Sequence, residues 1–249
     1  MSFKDHFSGH AAQYAQFRPH YPDSLFDYLA KIAPAPNRAW DCATGNGQAA
    51  IGLAKYFREV IATDASEQQI RNAESRPNIR YRVAPAQASE LADASIDLVT
   101  VAQALHWFAG PAFFREVHRV LQPRGVIVVW AYTLLKIAAN IDATVDRFYY
   151  ETTAPFWPPE RKIVEGKYRE IEFPFSELKP PSFQLEENWN LDQLIGYLKT
   201  WSATQRLIKE RGVDPVKGLE SELSAKWGQR EEVRAVRWPL HLRIGIKFD

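Results

Sequence analysis

The 249-residue chain holds a single cysteine, Cys42, which excludes an intramolecular disulfide and any cysteine-cluster zinc site. The histidines do not replace it. His6, His10, His118 and His241 stand at no metal-ligand spacing to one another or to acids, so no metal is expected. An excess of one charge is also missing. Lysine plus arginine number 31 against 30 aspartate plus glutamate, a net charge of +1, which leaves no basic field to hold a nucleic-acid backbone. The longest apolar stretch, Val126 to Leu135, falls far short of the roughly 20 residues that a helix needs to span a bilayer. The opening Met1-Ser2-Phe3-Lys4-Asp5-His6 lacks the apolar core of a signal peptide. Internal repeats and low-complexity tracts are absent as well. These absences predict a cytoplasmic protein with no nucleic-acid and no membrane partner, and they leave its oligomeric state, monomer or dimer, open. Cys42 itself reads as a small buried hydrophobe.

The composition is that of a globular protein, 46% hydrophobic and 24% charged, at a length that suits one large domain or a domain with a substantial insertion. Arg18-Pro19-His20-Tyr21-Pro22 interrupts any early helix, because neither proline continues one. Asp23 is placed to cap the next helix, whose apolar face is Leu25, Phe26, Leu29 and Ile32. Strands are predicted at Ala39 to Ala43, Val60 to Thr63, Ile79 to Val83, Ile96 to Ala102 and Val126 to Ala131. Helices are predicted between them, one opened by Gly47 and running through Tyr56, one capped by Ser66 with Gln69 completing a capping box, and one from Pro111 to near Leu121. Strands alternating with helices argue an α/β fold with a doubly wound parallel sheet. From residue 155 to 190 prolines mix with Phe156, Trp157, Phe173, Phe175, Phe183 and Trp189, which reads as an aromatic insertion packed on the main domain. Leu191 to Lys209 carries apolar residues at helical spacing, a shorter helix runs from about Pro215 to Trp227, and Val233 to Phe248 alternates as a strand in which Pro239 demands a bulge or an edge.

The most specific stretch is Trp40-Asp41-Cys42-Ala43-Thr44-Gly45-Asn46-Gly47-Gln48, followed by Asp64 at the end of the second strand. It reads as a nucleoside-binding βαβ unit, yet its turn is Asp-x-Ala-x-Gly-x-Gly rather than the GxGxxG that brings backbone against a pyrophosphate. An acid before the turn repels phosphate and suits a cationic ligand, which argues against a nicotinamide cofactor. S-adenosylmethionine joins an adenosine to a cationic amino-acid tail.

Further segments follow in order: Val60-Ile61-Ala62-Thr63-Asp64-Ala65-Ser66, then Ala86-Gln87-Ala88, then Ile96 to Phe108, then Glu116-Val117-His118-Arg119-Val120-Leu121-Gln122-Pro123-Arg124-Gly125. In order and spacing they resemble the class I S-adenosylmethionine-dependent methyltransferases, in particular the type-11-like group that includes trans-aconitate methyltransferase-like small-molecule enzymes. The resemblance covers about residues 1 to 132, and beyond it Trp201-Ser202-Ala203-Thr204-Gln205-Arg206 is similar to the same subgroup. It implies a Rossmann-like, seven-stranded, mostly parallel sheet with helices on both faces. An antiparallel C-terminal strand pair is implied as well, fitted by Ser182 to Glu187 and Val236 to Ile246. The expected organisation is an S-adenosylmethionine-binding core with an N-terminal lid (1–132), a substrate-side aromatic and helical insertion (133–230) and a final strand returning to the core sheet (231–249). Two positions depart from the family pattern: Ala43 stands where glycine is usual, and Pro85 where an acid is commoner.

The candidate cofactor residues are Tyr14, Arg18, Asp41, Ala43, Thr44, Gly45, Gly47, Asp64, Ala65, Gln69, Ala86, Gln87, Gln103 and His106. Asp41 either faces the cofactor's amino group or only braces the turn. Asp64 either accepts both ribose hydroxyls or only favours a helix N-terminus. Ala65, Gln69, Ala86 and Gln87 would border the adenine. His106 is either a general base or a loop-shaping residue. The candidate substrate residues are Tyr21, Trp107, Phe156, Trp157, Trp201 and Arg206, with plain core packing the alternative for Trp201. The predicted activity is methyl transfer to a small molecule, at a carboxylate or hydroxyl oxygen. The alternatives are C- or N-methylation of a small metabolite and a non-catalytic S-adenosylmethionine-binding module.

Overall fold

A computed structural model describes residues 17–248. Helix α1 (Asp23–Ile32) leads into β1 (Arg38–Cys42), followed by α2 (Gln48–Leu53), β2 (Glu59–Asp64), α3 (Glu67–Arg71), β3 (Ile79–Val83) and β4 (Ile96–Ala102). A short 3-10 turn at Leu105–Trp107 precedes α4 (Pro111–Val120) and β5 (Leu121–Tyr132). The second half contains α5 (Ala139–Arg147), α6 (Arg161–Glu165), β6 (Ser176–Leu178), β7 (Phe183–Trp189), α7 (Leu191–Lys199), α8 (Ser202–Arg211), α9 (Val216–Trp227) and β8 (Arg234–Ile246).

The strands form one eight-stranded sheet in the order β3-β2-β1-β4-β5-β8-β6, with β7 also on β8. β1 to β5 run parallel, and β8 is antiparallel to β5, β6 and β7. Strand order reverses between β1 and β4, and the crevice outside their carboxyl ends is where open α/β sheets bind ligands. β4 is buried along nearly its whole length, as a strand covered on both faces must be. One apolar cluster lies against α1, α2, α7 and α9 and includes Leu29, Leu53, Val128, Trp130, Leu194 and Trp238. The other lies against α4 and includes Trp40, Val99, Phe113, Val117 and Tyr168.

Several expectations are corrected. Pro22, not Asp23, is the N-cap of α1; Asp23 is its first helical residue and its carboxylate pairs with Lys55. The helix opened by Gly47 ends at Leu53 rather than Tyr56. The periodic run from Leu191 to Lys209 is two helices, because Trp201 adopts an extended backbone between them and its ring enters the core. The sheet gains β6, an exposed three-residue strand too short to leave a periodic pattern. Pro239 marks neither a bulge nor a sheet edge: it lies inside β8, opposite Gln184 of β7 and at the level where β5 ends. Thr133 N–H donates to its carbonyl, and the ring nitrogen, on the same side, has no proton to return that bond at the point where β5 has ended.

Candidate functional site

The loop after β1 is built on left-handed backbone. Ala43, Gly45 and Gly47 have φ of 56°, 58° and 88°. Ala43 is thus a residue in a conformation that glycine adopts more readily. At Gly47 a side chain is excluded twice, by the backbone and by the Tyr81 hydroxyl, which a Cβ would strike. Asp41 is fully buried at the end of β1. The Thr44 hydroxyl donates to its Oδ2 (2.5 Å) and the Thr100 hydroxyl of β4 to its Oδ1 (2.8 Å). Burial raises the Asp41 carboxyl to about 6, against the hydroxyls of Thr44 and Thr100, which lower it. No cationic side chain among the described residues pairs with it. A buried carboxylate without a counter-charge suits a cationic ligand.

Asp64, 8% exposed, ends β2. Its Oδ2 accepts the Gly45 N–H (2.9 Å) and its Oδ1 the Ser66 N–H (2.8 Å), so it ties the loop after β1 to the start of α3. The Ser66 hydroxyl accepts the Gln69 N–H, which forms the expected cap, but Gln69 does not complete the expected capping box because the Ser66 N–H is taken by Asp64; the Gln69 Oε1 is instead the atom nearest the open side of Gly45. Ala84 N–H donates to the Asp64 carbonyl, which brings the loop bearing Ala86 and Gln87 beside Ala65. Gln103, at φ 59° just past β4, donates its N–H to the Trp130 carbonyl. Its Nε2 is buried with no hydrogen-bond partner, an orphaned donor at the switch point. Asp41, Ala43, Thr44, Gly45, Gly47, Asp64, Ala65, Gln69, Ala86, Gln87 and Gln103 therefore sit on the adjoining carboxyl ends of β1, β2, β3 and β4. Tyr14 lies outside the described residues.

Residues 17–22 cross this edge. The Gln48 side chain donates to the Pro19 carbonyl (2.9 Å), Arg18 donates to the Tyr132 hydroxyl (2.9 Å) and lies over the Tyr197 ring, and Tyr21 packs edge-on against Trp130. His106 lies on the 105–107 turn with Trp107 beside it, and its Nδ1 is 3.2 Å from the Tyr168 hydroxyl. Burial, with a smaller push from Arg161, lowers the His106 pKa to about 3. Trp157 and Trp201 meet in an aromatic cluster with Tyr149 and Tyr197. Phe156 is set apart, packed with Ala203 and Leu207, and Arg206 donates to its carbonyl.

Four residues of the site were not singled out in the sequence. Thr100 braces Asp41, Tyr81 covers Gly47, Tyr168 meets His106, and Arg161 enters from α6, which packs on the 105–107 turn. Arg161 donates through Nε to the Tyr149 hydroxyl (2.6 Å), lies over the Tyr149 and Trp157 rings, and forms no ion pair with an acid among the described residues. Only the period-2 placement of Tyr81 and Thr100 on their strands offered a local signal for any of them.

Residues 40–129 match the family model described as a methyltransferase domain. A Dictyostelium discoideum protein named as a methyltransferase is 36% identical over 225 residues, covering 89% of this chain and 86% of the relative. A solved structure described as a type II methyltransferase from Anaeromyxobacter dehalogenans is 43% identical, with a TM-score of 0.89, over 92% of this chain and 98% of that one. Haemonchus contortus phosphoethanolamine N-methyltransferase 2, solved with S-adenosylmethionine, shares the fold at 16% identity and a TM-score of 0.50, over 97% of this chain and 57% of that one. The chain belongs to the class I S-adenosylmethionine-dependent methyltransferases. It is an enzyme of that class, and its cofactor is S-adenosylmethionine. The residues present fit that cofactor, through the uncompensated Asp41 carboxylate and the orphaned Gln103 donor. No helix among the described residues is long and apolar enough to cross a membrane.

Proposed function

We propose that the enzyme methylates a small molecule at a carboxylate oxygen. The observation that carries this reading is His106. Held near pKa 3, it is neutral at pH 7 and too weak a base to take a proton from an alcohol efficiently. A carboxylate arrives already ionised and needs no base, so alignment and exclusion of water do most of the work. Bound S-adenosylmethionine supplies the electrophilic methyl group on its sulfonium.

In this reading Asp41 faces the cofactor's ammonium end, with the left-handed loop from Ala43 to Gly47 passing close beside it. Asp64 takes the ribose hydroxyls. Ala65, Gln69, Ala86 and Gln87 border the adenine, and Gln103 donates to the methionine portion. Arg161 holds the acceptor's anionic group beside neutral His106, and Trp107, Trp157 and Tyr21 exclude water. Arg18 braces residues 17–22 over the cleft.

Incubation with methyl-labelled S-adenosylmethionine and pools of organic acids, alcohols and amines tests the acceptor. Expected is product from the acid pool that releases methanol in alkali, as a methyl ester does. Alkali-stable product from the alcohols or amines alone overturns the carboxylate reading. Calorimetry with S-adenosylhomocysteine is expected to give micromolar binding, about −8 kcal/mol, and NAD none.

A further inference from the structure

The outer edge of β8 is interrupted. β7 pairs with its residues 234–240 and β6 with residues 244–246. The connection between them, residues 179–182, carries Pro180 and Pro181, which cannot donate to a ladder. His241, Leu242 and Arg243 therefore have no strand partner on that side. A groove of about 600 Å³ opens there, within the size range of small-molecule sites.

Its walls are part apolar, from Pro181, Phe183 and Leu240, and part cationic, from Lys167, Arg169 and Arg243. Arg243 is already committed. Its guanidinium binds Glu177 (2.6 and 3.0 Å) and the carbonyls of Tyr168 and Ile171. Lys167 and Arg169 form no ion pair with any acid among the described residues. Both line the groove together with His241, whose pKa is lowered by burial and then by these two cations. His241 is held from behind, its Nε2 3.3 Å from the Thr133 hydroxyl.

The backbone at this wall is strained. Lys167 and Tyr168 are consecutive non-glycine residues at φ 58° and 59°, a sparsely populated conformation that persists only where the surroundings impose it. The turn sends Tyr168 inward to His106 and leaves Lys167 lining the groove. With Arg243 and Glu177 cancelling, Lys167 and Arg169 leave the groove two positive charges, unpaired with any acid among the described residues, beside an apolar wall.

We propose that this groove is a second binding site, taking a small molecule that carries a carboxylate or phosphate on an apolar body, with Lys167 and Arg169 holding the anionic group and Phe183, Pro181 and Leu240 the body. The site lies outside the methyl-transfer cleft and does not rest on the acceptor assigned above.

The test is calorimetric titration of the full chain, saturated with S-adenosylhomocysteine, with benzoate and with phenyl phosphate. The two probes share a ring and differ in the anionic group. The histidine Cε1–H resonances are followed in parallel, with His241 assigned through His241→Gln. Expected is saturable binding of at least one probe that moves the His241 resonance. Lys167→Glu/Arg169→Glu should weaken it by about tenfold or more. Ser182→Trp, which fills the groove without touching a cation, should do the same and serves if the charge reversal does not fold. Arg161→Ala, which acts in the methyl-transfer cleft, should leave the movement of the His241 resonance unchanged, and the groove variants should leave the affinity for S-adenosylhomocysteine unchanged. Absence of binding by both probes up to about 10 mM, a silent His241, or a His241 shift retained in the two groove variants overturns the proposal.

Discussion

Ala43 occupies a left-handed backbone position at φ 56° that costs an L-residue about 1–2 kcal/mol. Glycine removes that strain but gains entropy in the unfolded chain, so Ala43→Gly should stabilise by about 0.5–1 kcal/mol, read from the urea midpoint. Asp41 has a carboxyl raised to about 6 in the fold against an ordinary value near 3.9. The folded state therefore binds this proton more tightly. Its contribution favours folding below about pH 4 and is lost as pH rises through about 6. Asp41→Asn should flatten that window and gain roughly 1–3 kcal/mol at pH 7 while weakening S-adenosylhomocysteine binding. Urea denaturation of both proteins across pH 4 to 7 checks it, and superimposable pH profiles would contradict the assignment. Asp64→Ala should cost about 1.5–3 kcal/mol of cofactor affinity with the fold retained. If only the thermal midpoint drops, Asp64 serves as a structural tie between Gly45 and Ser66.

At the scale of elements, Glu116 shows how a helix is locked to a loop. From α4 it accepts the Ser89 N–H (2.8 Å), the Ser89 hydroxyl (2.5 Å) and the Arg119 guanidinium (2.8 and 2.9 Å). Arg119 first, then the Ser89 bonds, hold its carboxyl near 2 against burial. This is a depressed acid, so its stabilisation is present above the unfolded value near 4.3 and lost as pH falls toward 2. Glu116→Gln should cost about 1–3 kcal/mol at pH 7 and less as the pH drops below 4, read from the same denaturation series. The strands were legible because their apolar runs are local. Ile79–Val83 and Ile96–Ala102 are as expected, whereas β6 has no buried residue to mark it. The break at Trp201 was hidden because both helices keep apolar residues in phase across it.

For the whole molecule, residues 17–22 join α2, β5 and α7 across the carboxyl edge of the sheet. S-adenosylhomocysteine should slow proteolysis within this segment and near Phe156-Trp157, because a covered cleft orders its cover. Cleavage rates indifferent to the ligand mean that the segment is packing alone. Arg161→Ala should raise the Michaelis constant for a carboxylic acid by about tenfold while leaving cofactor affinity unaltered, the mark of one lost charge pair at the acceptor end.

The sequence by itself determined the βαβ order, the switch-point crevice and the left-handed loop proposed for the cofactor, since Asp41, Gly45, Gly47 and Asp64 are placed by local backbone and strand ends. Tertiary structure alone decided what closes and charges the cleft. Tyr81 reaches Gly47 from a strand two removed from β1, Tyr168 meets His106 across 62 residues, and Arg161 is aimed by Tyr149 and Trp157 from a segment without regular periodicity. Such contacts are set by packing between distant segments, which leaves no spacing in the chain to read. The buried environments that move Asp41 up and His106 down are of the same kind, because desolvation belongs to a place in the fold and not to a residue type.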